Sequence, residues 1–435
     1  MKETKFKQTE VGMIPCDWEV KSLGEISNGF SYGVGAEAIS FNGKDKYIRI
    51  TDIDDTSNKF VPHPLSSPAF YSEKDIVQSD DILFARTGAS VGKSYVYDKK
   101  DGRLIFAGFL MKLHIRDANS KFVFYQTLTN RYKSWIVSES MRTGQPGINL
   151  EQIKKYFLLL PQIEEQKHIA QALSDVDAVI STTEKLIAKK KVLKQGTMQQ
   201  LLTGKVRLGF QTKDERRKTS DFTCHSGAEG DRIQGKYKMT ELGLIPEDWR
   251  VKRLGDEVIL STETFESAQY KKEFYVGTEN MLQDKAGITK NETVNPIGKA
   301  KGFKRNDILM SNIRPYLKKI WYANRDGICS NDVLVYRVAK NAIDSSFLYS
   351  ILSDDKFFAY VIENAVGTKM PRGDKKIIRE YLFACPPTKE EQTSIATVLS
   401  DMDSEIAALE IKLAKYRQLK TGMMQQLLTG KVRLV

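Results

Sequence analysis

Along residues 390–434, apolar side chains recur at alternating spacings of four and three. They are Ile395, Leu399, Met402, Ile406, Leu409, Leu413 and Tyr416, then Lys420, Met423 and Leu427. Such a stripe is the seam of a long amphipathic helix, interrupted here only at Lys420. Residues 164–208 repeat the line with Ile169, Leu173, Val176, Ile180, Ile187 and Leu201, while Thr183, Lys190, Lys194 and Thr197 occupy its other positions. Thr388-Lys389-Glu390-Glu391, after two prolines, predicts a capping-box start, and Gly430 a C-terminal stop. Gly196 and Gly422 fall inside the two patterns and weaken the last turns. A lone helix of this kind leaves its stripe in water. The pattern therefore predicts that each helix pairs with its duplicate; packing of each helix on its own domain is the alternative.

Elsewhere the pattern is mixed. Tyr47-Ile48-Arg49-Ile50-Thr51, Asp81-Ile82-Leu83-Phe84-Ala85 and Ser94-Tyr95-Val96-Tyr97 are short, β-branched or aromatic, and predict strands. Phe122 to Val137 has helical spacing at Phe122, Tyr125, Leu128 and Tyr132. The second half shows the same order, with a strand at Asp307-Ile308-Leu309-Met310 and a helix from Phe347 to Ile362. Two α/β domains of one fold, each followed by a long helix, account for this order.

The two helical segments are related at a constant offset of 226, without a gap, and 27 of 45 positions are identical. A second repeat opens each half. Ile14-Pro15-Cys16-Asp17-Trp18-Glu19-Val20-Lys21-Ser22-Leu23-Gly24 returns as Ile245-Pro246-Glu247-Asp248-Trp249-Arg250-Val251-Lys252-Arg253-Leu254-Gly255. Between these frames the halves share little. The frames should perform one job twice, and the diverged parts a different job on each side. Residues 209–239 are polar, charged and aperiodic, which suits a linker.

A length of 435 residues suits two domains plus helices rather than one core. The hydrophobic share of 41% is that of a globular protein, and no apolar run approaches a membrane span. The first seven residues have no apolar core, so no secretory signal is expected. Cys16, Cys224, Cys329 and Cys385 have neither pairing nor zinc spacing and are expected to be free thiols in a reducing cytoplasm. The net charge of +12 favours a polyanionic partner, although a merely basic protein would show it too.

Several motifs fall short of chemistry. Gly88-Ala89-Ser90-Val91-Gly92-Lys93-Ser94 has three residues between its glycines where a P-loop needs four. Asn295-Pro296-Ile297-Gly298 lacks the second proline and the aromatic of an adenine methyltransferase motif. Glu19-Val20-Lys21 resembles the end of a nuclease motif, yet its duplicate reads Arg250-Val251-Lys252. The four histidines have no metal or triad spacing. Neither a catalytic site nor a metal site is expected.

Two loops in each half carry groups suited to phosphates and base edges. In the first half these are Arg86, Thr87, Ser90 and Lys93, and then Arg142 and Gln145. In the second they are Asn312, Arg314, Tyr316 and Lys318, and then Lys369 and Arg372. Ordinary surface hairpins and turns would carry such residues as well. Lys189-Lys190-Lys191 with Lys194 is either a solvated face or a track for DNA phosphates.

Paired variable segments, each opened by Ile-Pro-x-Asp-Trp and followed by a Glu-Glu-Gln helix ending Gln-Gln-Leu-Leu-Thr-Gly-Lys-Val-Arg-Leu, resemble the specificity subunit of type I restriction–modification systems. The resemblance covers nearly the whole chain. It implies a mixed α/β (α+β) chain with two globular target-recognition domains separated by two long helices in an antiparallel coiled pair, with internal pseudo-twofold symmetry. The expected boundaries are 1–162 for domain one, 163–208 for the central long helix, 209–239 for the linker, 240–387 for domain two and 388–435 for the C-terminal long helix. It also implies a non-catalytic, cytoplasmic subunit that reads one half of a split, asymmetric site in double-stranded DNA with each domain. The helices would set the spacing between the halves. The repeated surfaces would dock two copies of a DNA adenine methyltransferase subunit, and a motor-nuclease restriction subunit would join. S-adenosylmethionine, ATP and magnesium would act on those partners, with none bound by this chain. From the residues alone, a protein-interaction scaffold with two diverged binding domains stands as the alternative.

Overall fold

The computed structural model describes residues 5–141, 145–208, 236–266, 274–289, 299–339 and 343–434. The chain divides into two compact units. One is Met1–Lys185 with Ile411–Val435, and the other is Leu186–Glu410. Each unit therefore holds one domain, the start of the long helix that follows it, and the end of the other long helix.

The two domains are built alike. In the first, strands Ser27–Tyr32, Leu110–Ile115, Asp81–Ala85 and Ser94–Val96 form an antiparallel four-stranded sheet in that order. In the second, Val258–Leu260, Val333–Val338, Ile308–Ser311 and Ile320–Tyr322 take the same four places. The strand Asp81–Ala85 is buried on both faces, as its unbroken apolar run requires. Each opening motif forms the second strand of a hairpin, Phe6–Thr9 with Gly12–Pro15 and Tyr237–Thr240 with Gly243–Pro246. The strands after them, Glu19–Ser22 and Arg250–Arg253, pair with Phe157–Leu160 and Leu382–Cys385, which lead into the long helices.

Each helix expected to follow the sheet is two helices. Ser120–Gln126 and Asn130–Ser140 are separated by Thr127–Thr129, where the Thr129 side chain accepts from Tyr132 N–H and caps the second. Ser345–Leu352 and Asp355–Glu363 are divided likewise, with Asp354 as the cap. A cap in mid-pattern outweighs continuous apolar spacing. The strand expected at Tyr47–Thr51 is Lys46–Ile48, and then a 3₁₀ turn bound by Arg49 and Asp52.

The long helices span Ile163–Leu202 and Lys389–Leu427, unbroken at Gly196 and Gly422. Thr388 accepts from Glu391 N–H, but the Glu391 side chain turns to Arg207, so the capping box is only half formed. The seam residues Ile169, Leu173, Ile187, Ile395, Leu399 and Ile406 are buried, and Val176, Ile180, Met402, Leu409, Leu413 and Tyr416 are half-buried. Both packing schemes expected from the sequence occur. Ile169 and Leu173 lie in one core with Phe122, Leu158, Leu427 and Leu428 of their own unit. Further along, the helices meet antiparallel, as the ion pairs show. In unit one, Asp177 pairs with Lys420 and Glu184 with Arg417, at 2.7 and 2.8 Å. In unit two, Asp403 pairs with Lys194 and Glu410 with Lys191, at 2.5 and 2.7 Å. These are the same two pairs displaced by the repeat offset. The lysines that interrupt the seam are thus half-buried cross-helix partners, and the basic run is largely spent within the protein: Lys190 also pairs, with Glu405 at 2.8 Å.

The linker expected at 209–239 lies outside the described residues up to 235, and its last residues, Tyr237–Thr240, form the hairpin strand named above. Asn295-Pro296-Ile297-Gly298 and Cys224 also lie outside them. Among the described residues, no helix is long and apolar enough to cross a membrane, and no cluster of His, Cys, Asp or Glu is arranged to hold a metal.

Candidate nucleic-acid interface

In each domain the two singled-out loops meet at the end of the central strand. In domain one, Arg86 N–H donates to Phe109 O (3.0 Å) and Ile148 N–H donates to Arg86 O (2.9 Å). Thr87 bridges Gly147, and Gly88 N–H donates to Pro146 O (3.0 Å). In domain two, Asn312 N–H donates to Asp332 O (2.8 Å) and Gly373 N–H donates to Asn312 O (3.2 Å). Ile313 bridges Arg372, and Arg314 N–H donates to Pro371 O (2.8 Å). The backbone frame is the same, so Arg86, Thr87 and Gly88 correspond to Asn312, Ile313 and Arg314. Gly88 has φ +79° and Arg314 φ 50°, so the frame needs the left-handed region at its third position. Domain two fills that position with an arginine and bears the strain.

The side chains on this frame differ. Arg86 is half-buried, and its guanidinium lies 4.9 Å from the centre of the Tyr32 ring. Thr87 and Ser90 are half-buried beside it, and Gln145 is exposed. Lys93 turns away, donating to Ile53 O (2.9 Å) and pairing with Asp55. It borders an open cleft of about 600 Å³ beside the helices, where Asp177, Glu184, Arg417 and Lys420 are already in ion pairs. Arg142 lies outside the described residues.

In domain two, Arg314 and Tyr316 are exposed on the 3₁₀ turn Pro315–Leu317, and Lys369 is exposed on the facing loop. Arg372 pairs with Asp332 at 3.0 Å. Lys318 and Lys285 both reach Asp355; burial pushes that carboxyl up, but the two ammonium groups hold it below the usual range. Asn312 is buried, and its side-chain oxygen has no partner within the protein. The sequence did not single out Tyr32 and Phe109, or Met370, which is exposed beside Lys369. Tyr32 is 54 positions from Arg86, and only strand register across Leu110–Ile115 brings them together.

Opposed to this variety, the three repeated motifs close into one clasp in each unit. Arg433 donates to Glu165 (2.7 Å) and to Asp17 (2.6 Å), with its guanidinium 5.7 Å from the Trp18 ring centre. Arg207 donates to Glu391 (2.6 Å) and Asp248 (2.8 Å), and lies 5.8 Å from Trp249. Both tryptophans are fully buried. Gly430 and Gly204 both have φ +69°, and a Cβ there would come within 2.4–2.5 Å of Pro15 or Pro246. Only glycine fits between the turn and the opening motif. The glutamines that follow the clasp glutamates tie each helix to its domain: Gln166 accepts from Asn119 N–H (2.9 Å) and Gln392 from Asp344 N–H (2.8 Å). Hydrogen bonds to Glu165 and Asp17 raise the Arg433 guanidinium's affinity for its proton, and Arg433 in turn holds the Asp17 carboxyl below its ordinary value.

Comparison with known proteins agrees with this architecture. A protein named as the MjaX type I restriction enzyme specificity subunit of Methanocaldococcus jannaschii is 30% identical over 465 residues, covering 100% of this chain and 98% of that one. The MjaVIII specificity subunit of the same organism is 26% identical over 454 residues, covering 100% and 97%. The crystal structure of a type I restriction–modification S subunit from M. genitalium shares the fold, with a TM-score of 0.56, 14% identity and 98% of each chain covered. The family described as type I restriction modification DNA specificity domain matches residues 15–192 and 246–415. With two such domains on one repeated frame, the chain belongs to the DNA specificity family of type I restriction–modification systems, whose role is recognition rather than catalysis.

Proposed function

We propose that each domain reads one half of a split, asymmetric target in double-stranded DNA through its pair of converging loops. The observation that carries this is the shared frame at residues 86–88 and 312–314, which holds unlike side chains in one backbone setting. Unlike side chains on like frames suit unlike half-sites. The net charge of +12 supports a phosphate-rich partner. As a member of its family the chain assembles with methylase and restriction subunits; two methylase copies, one per repeated unit, match the duplication. S-adenosylmethionine, ATP and magnesium act on those partners in the cytoplasm, and this chain binds none of them.

Exchanging residues 25–160 for the corresponding segment of another family member tests the reading. Methylation mapping of the assembled enzyme should show one half of the target changed and the other retained. A change in both halves, or in neither, would refute independent reading.

A further inference from the structure

Arg86 differs from the other described arginines of its domain. Arg49, Arg103 and Arg116 each face a carboxylate, at 2.8, 2.9 and 2.7 Å. Arg131 donates to Phe157 O at 2.9 Å. Among the described residues, Arg86 has neither a carboxylate nor a carbonyl for its guanidinium. It is nevertheless half-buried, and its backbone is bound at both its N–H and its carbonyl. None of its guanidinium nitrogens is among the buried atoms left without a partner, so the fork remains open to a ligand.

The place of this cation is also set. Its guanidinium lies over the Tyr32 ring, 4.9 Å from its centre, and the Tyr32 hydroxyl accepts from Leu150 N–H at 3.2 Å. Leu150 follows the loop that bridges Thr87, so hydrogen bonds connect the ring to both loops. A cation–π contact restrains the guanidinium without using its N–H groups, so the fork keeps its paired donors for one acceptor edge. Guanine presents two acceptors, O6 and N7, on its major-groove edge, whereas adenine presents one acceptor beside a donor. A phosphate also accepts the fork through two oxygens, so base and backbone are separated by the test below, in which only a base contact changes the motif. At the corresponding place domain two has Asn312, a buried amide, so this device belongs to domain one.

We infer that domain one specifies a guanine in its half of the target through Arg86, with Tyr32 as the positioning residue. This rests on the reading of the chain as one that recognises a split DNA site.

The test uses the whole chain, assembled with the methyltransferase subunit of its system in a host free of other methylation at the site. Methylated positions are then mapped genome-wide. The wild type should give a bipartite motif containing a guanine in the domain-one half. Arg86→Ala should lose discrimination at that base pair by roughly ten- to a hundredfold, while the rest of the motif stays intact. Arg86→Lys keeps the charge but not the fork and should relax the same position, which decides the matter should Arg86→Ala fail to assemble. Tyr32→Ala should relax that position in part, and Tyr32→Phe, which keeps the ring, should relax it less. The retained domain-two half reports that each variant is folded. The inference is overturned if the motif has no guanine in that half, or if Arg86→Ala slows methylation at all sites with the motif unchanged, as loss of a phosphate contact would. It is equally overturned if Arg86→Lys discriminates like the wild type. A wild type with no bipartite motif would instead sink the underlying reading.

Discussion

The two clasps and the two loop frames are both duplicated, but by different parts of the chain. The clasps repeat in side chains: Arg433, Glu165, Asp17 and Trp18 recur as Arg207, Glu391, Asp248 and Trp249 with distances that agree to about 0.2 Å. The loop frames repeat only in backbone, with arginine, threonine and glycine in one standing where asparagine, isoleucine and arginine stand in the other. A clasp works through particular charges in a buried place, so its residues cannot drift. A loop frame held by N–H and C=O groups is indifferent to the side chains it carries, which are then free to diverge.

The contrast is broken or sharpened most strongly at the clasps. Glu165 and Glu391 are each only 2% exposed, so removing their arginines leaves a buried charge without its partner. Arg433→Ala and Arg207→Ala should each destabilise the assembled protein by about 3–5 kcal/mol in urea denaturation. The two losses should agree within about 1 kcal/mol, and the target sequence should not change. A large inequality would mean that the clasps are alike in geometry but not in energy.

A smaller effect of mixed sign is expected at the third frame position. Arg314→Gly gives domain two the residue that domain one already has there. Relief of the left-handed backbone should stabilise the protein by about 1 kcal/mol. Loss of the exposed guanidinium should weaken DNA binding by about 1–3 kcal/mol if it contacts a base. Thermal denaturation and a binding titration at fixed salt separate the two. Unchanged affinity would place recognition elsewhere in domain two.

The smallest effect concerns acid. The carboxyl of Asp17 is held below its ordinary value of 3.8 by the hydrogen bond from Arg433. A lowered folded-state value contributes stability above the unfolded value, and that contribution is lost as pH falls through the folded one. Asp17→Asn should therefore cost stability at neutral pH and flatten the loss below about pH 4. The change should be slight, because half of this side chain is exposed. A stability–pH curve unaltered by the substitution would show that the Glu165 pairing alone holds Arg433.

Much of this protein was legible in its sequence because the information was periodic or repeated. The four-three spacing gave both long helices, the constant offset gave the duplication, and the strand–helix order gave two like domains. Loop chemistry pointed to both loops of each domain without showing that they touch. What lay beyond reach depended on distant residues. Lys420 looked like a flaw in the seam, and only Asp177 on the other helix makes it a partner. Lys93 looked available to a ligand until Ile53 O and Asp55 claimed it. Arg86 and Tyr32 meet because an intervening strand aligns theirs, and Arg433 meets Asp17 across 416 positions. Local spacing determines which face of an element is apolar, since that is set within a few residues by backbone geometry. Which charge meets which is decided only when separate elements pack, because a side chain's partner depends on register between strands and helices that no local pattern encodes.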